Sequence, residues 1–284
     1  MTDSTHIKSF AVIGNPIAHS LSPAIHQAFG KQLGVALRYT AIQSPIDGFP
    51  AVVDEFFANG GAGLNVTVPF KEIAYAMAQA HLSERASLAG AVNTLWMDHG
   101  RLHGCNTDGV GLLHDIQRLG ITLQNKRILL VGAGGAAKGV VRPLLQAQCA
   151  ALHIANRTPE RAIELQTHIA RLLPQFSAQV TAGSLKQSIG QWDVVINATS
   201  SSLGNLPPDL PDGIYAPGAL AYDMMYGAQP TSFMLRAQAQ GATHIADGLG
   251  MLVGQAAASF AIWHGLEPDL APVLAALRQK LHSA

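Results

Sequence analysis

An α/β fold of two domains is predicted by three observations. A glycine turn joins a buried run to helix-forming residues, short apolar runs alternate with amphipathic stretches on both sides of that turn, and the composition is hydrophobic and charge-balanced. The turn is Arg127-Ile128-Leu129-Leu130-Val131-Gly132-Ala133-Gly134-Gly135-Ala136-Ala137, the strand-turn-helix of a dinucleotide-binding βαβ unit. Gly132 allows the sharp exit from the strand, Gly134 allows the backbone to approach a pyrophosphate, and Ala137 is the small residue where helix and strand pack closely. The helix start then offers free N–H groups and a positive dipole end. A purely structural strand-to-helix turn is the alternative.

The chain has 284 residues, 48% hydrophobic and 13% charged, which is enough for two ordinary cores. Lys+Arg and Asp+Glu are both 18, so no basic excess points to nucleic acid or an anionic membrane, and a small molecule is the expected partner. Cys105 and Cys149 have no metal-type spacing, which predicts neither a disulfide framework nor a metal site and fits a cytoplasmic protein. Met1 to Ser9 is polar and lacks the order of a signal peptide. Gly248 to Leu266 carries no Asp, Glu, Lys or Arg; its glycines, Gln255, Ser259 and His264 mark a buried helix rather than a membrane span.

In order, Ser9 to Gly14 reads as a buried strand, and Ser22-Pro23 as N-cap and first-turn proline of a helix to Leu33. A strand at Arg38 to Ile42, a helix from Asp47 to Ala58 and a strand at Gly63 to Val66 continue the alternation. A helix after Lys71, another capped by Ser83, and a hairpin turning at Asp98-His99-Gly100 between Val92 to Met97 and Arg101 to Gly104 complete a mostly parallel sheet with an antiparallel edge. From Asp108, a good N-cap, a bridging helix reaches the C′ glycine Gly120. After the glycine turn come strands Ala151 to Ala155, Gln179 to Ala182, Asp193 to Ala198 and Ala219 to Asp223, with helices Pro159 to Leu172, near Ser184, and Thr231 to Ala239. That order is doubly wound. Ser200 to Gly213 reads as a loop, and helices at Leu249 to Trp263 and Asp269 to Leu281 are expected to return to the first sheet. The predicted domains are therefore a substrate-binding catalytic domain, 1–107 completed by 248–284, and a Rossmann domain, 108–247.

A dinucleotide site that takes NAD offers a carboxylate about 20 residues past the glycine turn. Here Asn156-Arg157-Thr158 stands there, with Arg161 one helical turn on, so two guanidinium groups match a ribose 2′-phosphate and NADP(H) is the expected cofactor. The bland alternative is two surface arginines at a helix start. In the first domain Asn65-Val66-Thr67-Val68-Pro69-Phe70-Lys71 places polar groups at a strand's carboxyl end, where open α/β sheets bind ligands. A lysine withdrawn from water there serves as a proton donor and acceptor; a solvated surface lysine does not. Asp108 is either a helix cap or a site carboxylate. Ser20-Leu21-Ser22 either caps a helix or binds a carboxylate, and Asn93-Thr94, Asn106-Thr107 and Gln255 suit hydroxyl binding.

Ser20-x-Ser22-Pro23, Asn65-Val66-Thr67-Val68-Pro69-x-Lys71, Gly90-Ala91-Val92-Asn93-Thr94, Gly104-x-Asn106-Thr107-Asp108-Gly109, Gly132-Ala133-Gly134-Gly135-Ala136, Asn156-Arg157-Thr158 and Asp247-Gly248-x-x-Met251-Leu252-x-x-Gln255 together resemble the shikimate dehydrogenase family, in that family's order. The resemblance implies NADPH-dependent reduction of 3-dehydroshikimate to shikimate in chorismate and aromatic amino acid biosynthesis. It implies Lys71 and Asp108 as the catalytic pair, Ser20 and Ser22 on the substrate carboxylate, and Asn65, Thr67, Asn93, Tyr226 and Gln255 around the ring. Glu84, Met224 and Gly248 would lie beside the cofactor, with Gly132 to Ala136, Asn156, Arg157, Thr158 and Arg161. A cleft between the domains that closes on ligand is expected, with a monomer or homodimer left open. Cys105 stands where the family often has a polar residue or tyrosine. The rival readings are a dual quinate/shikimate dehydrogenase, which tends to prefer NAD, a non-catalytic NADP-sensing module, and a methylene-tetrahydrofolate dehydrogenase; Ser20-Leu21-Ser22 speaks against the last.

Overall fold

Four consecutive apolar residues, Phe10 to Ile13, form the centre of strand β1 (Lys8–Gly14), with Ala11 and Ile13 on one face and Phe10 and Val12 on the other. A strand buried on both faces belongs in the middle of a sheet, and β1 sits between β2 (Leu37–Gln43) and β3 (Gly61–Val66), parallel to both. The crossovers are helices α1 (Ser22–Leu33) and α2 (Phe49–Ala58). After α3 (Lys71–Met77) and α4 (Glu84–Ala89), strands β4 (Thr94–Asp98) and β5 (Arg101–Cys105) add antiparallel, giving the order β2-β1-β3-β4-β5. Their turn has His99 at φ 48° and Gly100 at φ 74°, the two left-handed residues that a tight hairpin with right-twisted strands requires. The computed structural model describes residues 7–199, 201 and 206–283, so the loop expected at 200–213 lies partly outside the described residues.

The second sheet contains β6 (Arg127–Val131), β7 (Ala151–Asn156), β8 (Val180–Ser184), β9 (Trp192–Asn197), β10 (Tyr215–Asp223) and β11 (His244–Asp247). All pairs are parallel and the order is β11-β10-β9-β6-β7-β8, the doubly wound arrangement, with its topological switch between β6 and β9. Helices α5 (Asp108–Arg118), α6 (Gly135–Gln146), α7 (Pro159–Leu172) and α8 (Ser232–Ala239) precede two long terminal helices, α9 (Leu249–His264) and α10 (Leu270–His282). Among the described residues no helix is long and apolar enough to cross a membrane.

The chain divides into two units. The first holds the described residues up to Gly111 together with Leu252–Ala275; the second holds Leu112–Met251 and the residues from Ala276 onward. The end of α10, expected with the first sheet, clusters instead with the second unit, because the Arg278 guanidinium grips both oxygens of the buried Asp247 carboxylate. In the first unit α9 covers the β1 face bearing Phe10: the Phe10 and Trp263 rings lie 5.0 Å apart, and an added Cβ on Gly63 would come within 2.5 Å of the Trp263 ring.

Other differences from expectation are local. Strand β11 was not expected: His-Ile-Ala-Asp is four residues with no clear alternation, and it forms because β10 offers an open edge. Helix α2 starts at Phe49 because Gly48 takes the cap position and Pro50 the first turn. The strand expected from Gln179 begins one residue later, after a 3₁₀ turn over Pro174–Gln179.

Buried His26 on α1 stacks on Tyr39, with ring centroids 4.2 Å apart and planes 8° from parallel, among Phe29, Phe260 and Trp263. Burial lowers its pKa from 6.5 to about 3. The unfolded chain therefore binds one more proton than the folded chain between those values. The stabilisation is complete above pH 6.5 and is lost as pH falls towards 3. Unfolding free energies of wild type and His26→Leu, measured by urea titration at pH 7 and pH 5, should diverge by about 2 kcal/mol, with only the wild type carrying the extra acid loss. Parallel pH dependences would show that His26 is not held neutral.

Candidate active site

Strands β1 and β3 are neighbours whose chains leave in different directions, so their carboxyl ends open a crevice of the kind in which α/β sheets bind ligands. The crevice is braced by backbone: Thr67 N–H donates to Ile13 O at 2.9 Å and Asn15 N–H to Val68 O at 3.0 Å. Phe70, fully buried and stacked 4.6 Å from Phe49, anchors the next turn, and Lys71 opens α3 from that anchor.

The Lys71 Nζ lies 2.6 Å from Asp108 Oδ2, with the two side chains only 13% and 5% exposed. A nearly dry ammonium-carboxylate pair at a strand end keeps its charges only if each also has hydrogen-bond partners. The second carboxylate oxygen, Oδ1, accepts from Asn93 Nδ2 at 2.9 Å. The Lys71 ammonium makes no further hydrogen bond among the described residues, which leaves N–H bonds for a ligand. Asp108 is not its helix's cap, contrary to that sequence reading. It is the first residue of α5, and its N–H is capped by Asn106 Oδ1 at 3.0 Å, so the Asp108 carboxylate is free for the lysine.

Asn93 is 2% exposed and every polar atom of its amide is engaged. Oδ1 accepts from the Thr107 N–H at 2.9 Å and the Thr94 hydroxyl at 2.9 Å; Nδ2 donates to Asp108, to Thr107 Oγ1 at 2.9 Å and to Gln255 Oε1 at 3.3 Å. Asn65, expected around the ring of a ligand, is 4% exposed and, like Asn93, engaged by protein on both polar atoms of its amide. Its Oδ1 accepts from the Tyr39 hydroxyl at 2.7 Å, and its Nδ2 donates to Ser259 Oγ at 2.9 Å, Asn93 O at 3.1 Å and Thr94 Oγ1 at 3.3 Å. Lys71, Asn93, Asp108 and Gln255 are thus joined directly, with Asn65 one layer behind. Ser22 is likewise not a cap: the cap position of α1 is Leu21, without a side-chain bond, and Ser22 N–H donates to Ser20 Oγ at 3.3 Å. The Ser22 hydroxyl has no partner among the described residues, and Thr67 is half-buried at the same edge.

In the second unit Gly132 has φ 118°, and an added Cβ would sit 3.2 Å from the Ala198 carbonyl, so the turn admits only glycine. Gly134, the α6 cap residue, has nothing within 4 Å of an added Cβ, and Ala137 is fully buried against the sheet. The N–H groups of Gly135, Ala136 and Ala137 in the first turn have no intrahelical acceptor. This open cradle with outward N–H groups fits a pyrophosphate, and Ala133 lines the turn beside it. At the end of β7 Asn156 Nδ2 donates to Thr158 O at 2.9 Å, and Arg157 and Arg161 are exposed and make no ion pair among the described residues. Met224 N–H donates to Asn197 O at 2.9 Å, and a side chain on Gly248 would collide with the Met224 backbone, so the two are held together. Tyr226 is half-buried on the same unit, while Glu84 is exposed in the first turn of α4 in the first. No group of three or more metal-ligating side chains occurs among the described residues.

Sequence reasoning missed Tyr39 and Ser259. A fully buried serine four residues after Gln255 on an uncharged helix was a usable signal; Tyr39 carried none.

Residues 12–95 match the family described as shikimate dehydrogenase substrate binding domain, 115–206 shikimate / quinate 5-dehydrogenase, and 248–278 the shikimate 5′-dehydrogenase C-terminal domain. The chain is 58% identical over 281 residues to a shikimate dehydrogenase (NADP(+)) of Bordetella avium, covering 99% of each. A Thermus thermophilus shikimate 5-dehydrogenase solved with NADP(H) and shikimate superposes with TM-score 0.83 at 34% identity, over 96% of this chain and 99% of that one. An Ael1 enzyme of Pseudomonas putida gives TM-score 0.85 at 42% identity, over 95% and 98%.

Replacing Asn65 by Leu keeps the branched shape but orphans the buried Tyr39 hydroxyl and takes one of two donors from the Asn93 carbonyl, which retains the Val66 N–H at 2.8 Å. Each such loss costs about 1–3 kcal/mol, so Asn65→Leu should lower the unfolding free energy by at least that much in denaturant titration. An unchanged free energy would show that the amide is not what satisfies these groups.

Proposed function

The chain belongs to the shikimate dehydrogenase family, and we propose that it reduces 3-dehydroshikimate reversibly to shikimate with NADPH, Lys71 and Asp108 being the catalytic pair. The observation that carries this is the 2.6 Å contact of a nearly dry ammonium and carboxylate at the carboxyl edge of the first sheet. The first unit is the substrate domain and the second the cofactor domain in this reading. The Gly132 to Ala136 turn, with free helix N–H groups, holds the pyrophosphate, and Asn156, Arg157, Thr158 and Arg161 hold the adenosine 2′-phosphate. Met224, Gly248 and Glu84 are assigned to the cofactor's surroundings. When bound, NADPH supplies the hydride that reaches the ketone carbon.

The protein's part is the proton and the geometry. Lys71 Nζ donates a proton to the oxygen of the former ketone as negative charge develops there, and takes it back in the oxidation. Asp108 accepts from a neighbouring substrate hydroxyl and holds the ammonium in line. Ser20 and Ser22 receive the substrate carboxylate, supported by the Ser22 hydroxyl that the helix does not use. Thr67, Asn93, Gln255 and Tyr226 complete the ring contacts. Asn65, saturated by protein, acts from behind them.

The 58% identity to an NADP(+) enzyme and Asn156-Arg157-Thr158 standing where an NAD site carries its acid favour this over the quinate reading, and the intact Lys71–Asp108 pair favours it over a non-catalytic sensor. The location proposed is cytoplasmic, in keeping with two free, buried cysteines. The deciding experiment is consumption of NADPH absorbance with 3-dehydroshikimate.

Two outcomes are expected. Lys71→Ala should lower kcat by about 10²–10⁴-fold while shikimate affinity, measured by calorimetry, falls far less. Loss of affinity with unchanged kcat would make Lys71 a clamp. Replacing Arg157 and Arg161 together by Ala should raise the KM for NADPH strongly and leave that for NADH nearly constant, since each charge-assisted bond to the 2′-phosphate contributes about 1.5–3 kcal/mol. Equal changes for both nucleotides would remove the arginines from cofactor selection.

A further inference from the structure

The hydrogen bonds behind Asp108 run in one direction, and the direction follows from groups whose character is unambiguous. Asn93 Oδ1 faces the Thr107 backbone N–H, which only donates, and Asn93 Nδ2 faces the Asp108 carboxylate, which only accepts. Asn65 Nδ2 faces the Asn93 backbone carbonyl, which only accepts, so Asn65 Oδ1 must face Tyr39 and the phenol must donate. Burial raises the Tyr39 pKa well above its usual value, which keeps that proton in place. Between the two amides stands Thr94 Oγ1, fully buried, accepting from Asn65 at 3.3 Å and donating to Asn93 at 2.9 Å. Ser259 Oγ also accepts from Asn65 and lies 2.8 Å from Thr94 Oγ1 and 3.0 Å from Gln255 O; with its one proton turned to Thr94, the contact of the two hydroxyls needs none from the threonine. The Thr94 hydroxyl is thereby left to serve Asn93.

We propose that Thr94 is a positioning residue of the reaction, which acts on Asp108 through the Asn93 amide, with the Tyr39 phenol setting the polarity of the chain from behind. The inference rests on the Lys71–Asp108 reading above. Neither Thr94 nor Tyr39 touches Lys71 or Asp108 in any hydrogen bond; each is buried, on β4 and β2, with the amides between it and the crevice. Without the Thr94 hydroxyl, Asn93 Oδ1 is held from the Thr107 side alone, by its N–H at 2.9 Å and its hydroxyl at 3.1 Å, and the amide loses its tie to β4. The carboxylate that orients the lysine then loses its fixed N–H, while the carboxylate-binding serines are untouched. The effect belongs in turnover rather than in binding.

The test uses the full chain with shikimate and NADP⁺. Thr94→Val, which has the same shape without the hydroxyl, should lower kcat on the order of 10- to 100-fold, with the KM and the calorimetric Kd for shikimate within about threefold of wild type. Thr94→Ser should restore most of the rate. Tyr39→Phe, which keeps the ring on His26, should lower kcat by a smaller factor. Combined with Thr94→Val it should add almost nothing, because both act on one chain. The inference is overturned by a Thr94→Val kcat near wild type, by a loss confined to KM, by a Ser variant as slow as the Val variant, or by kcat losses that multiply in the double variant. If Thr94→Val does not fold, Tyr39→Phe decides alone: a wild-type kcat overturns the proposal. Lys71→Ala runs beside them. A fast Lys71→Ala overturns the reading of the catalytic pair, whereas a slow Lys71→Ala beside an unimpaired Thr94→Val overturns only the role of Thr94.

Discussion

A side-chain amide buried beyond the reach of water must find an acceptor for its N–H bonds and a donor for its oxygen, and it has only one orientation in which both are met. Asn93 is under that constraint, and the crevice is arranged around it. The β4 strand supplies the amide, the turn before α5 supplies the Thr107 N–H and the Asp108 carboxylate, and α9 supplies Gln255. Three segments far apart in sequence are thus brought into one register. The lysine comes last, delivered by the Phe70 anchor to a carboxylate already held on its other oxygen. The costly step, removing two charges from water, is offset because every lone pair turned towards the protein has a donor.

Much of this was legible in the chain. Buried runs such as Phe10 to Ile13 and Ile128 to Val131, with glycine and proline between them, marked strands and crossovers because burial on both faces leaves no alternation to confuse. Gly132 was readable because only glycine takes its left-handed turn against the Ala198 carbonyl, and Gly134 because a turn that cradles phosphate leaves open the space a side chain would fill. The two capping assignments failed for a common reason. Ser22 and Asp108 have ideal capping chemistry and sit at helix starts, yet the cap of α5 is taken by Asn106 two residues earlier. Which of several polar residues at a helix start does the capping is a matter of backbone direction. The bonds of Asn65 were hidden for another reason: its partners Tyr39 and Ser259 lie 26 and 194 residues away, and no local pattern announces a bond of that span. Strand β11 was too short and too polar for its period to speak.

Small residues do comparable work in both units. An added Cβ on Gly254 of α9 would lie 2.9 Å from the Gly111 backbone of α5, and one on Gly250 would land on the buried Asp115 carboxylate. Asp115 in turn accepts from the Tyr222 hydroxyl at 2.7 Å and pairs with Arg118. One contact is glycine on glycine and the other glycine on a carboxylate, and that carboxylate is satisfied where the glycine makes room for it.

Helix α9 contributes Phe260 and Trp263 to the packing of the first sheet and Gln255 and Ser259 to the polar chain behind the crevice. A single structural segment is therefore both keystone of the sheet and rear wall of the crevice. Partial opening of the molecule that peels α9 away strips the crevice of its rear wall at the moment it uncovers β1, so inactivation and loss of native packing are one cooperative event.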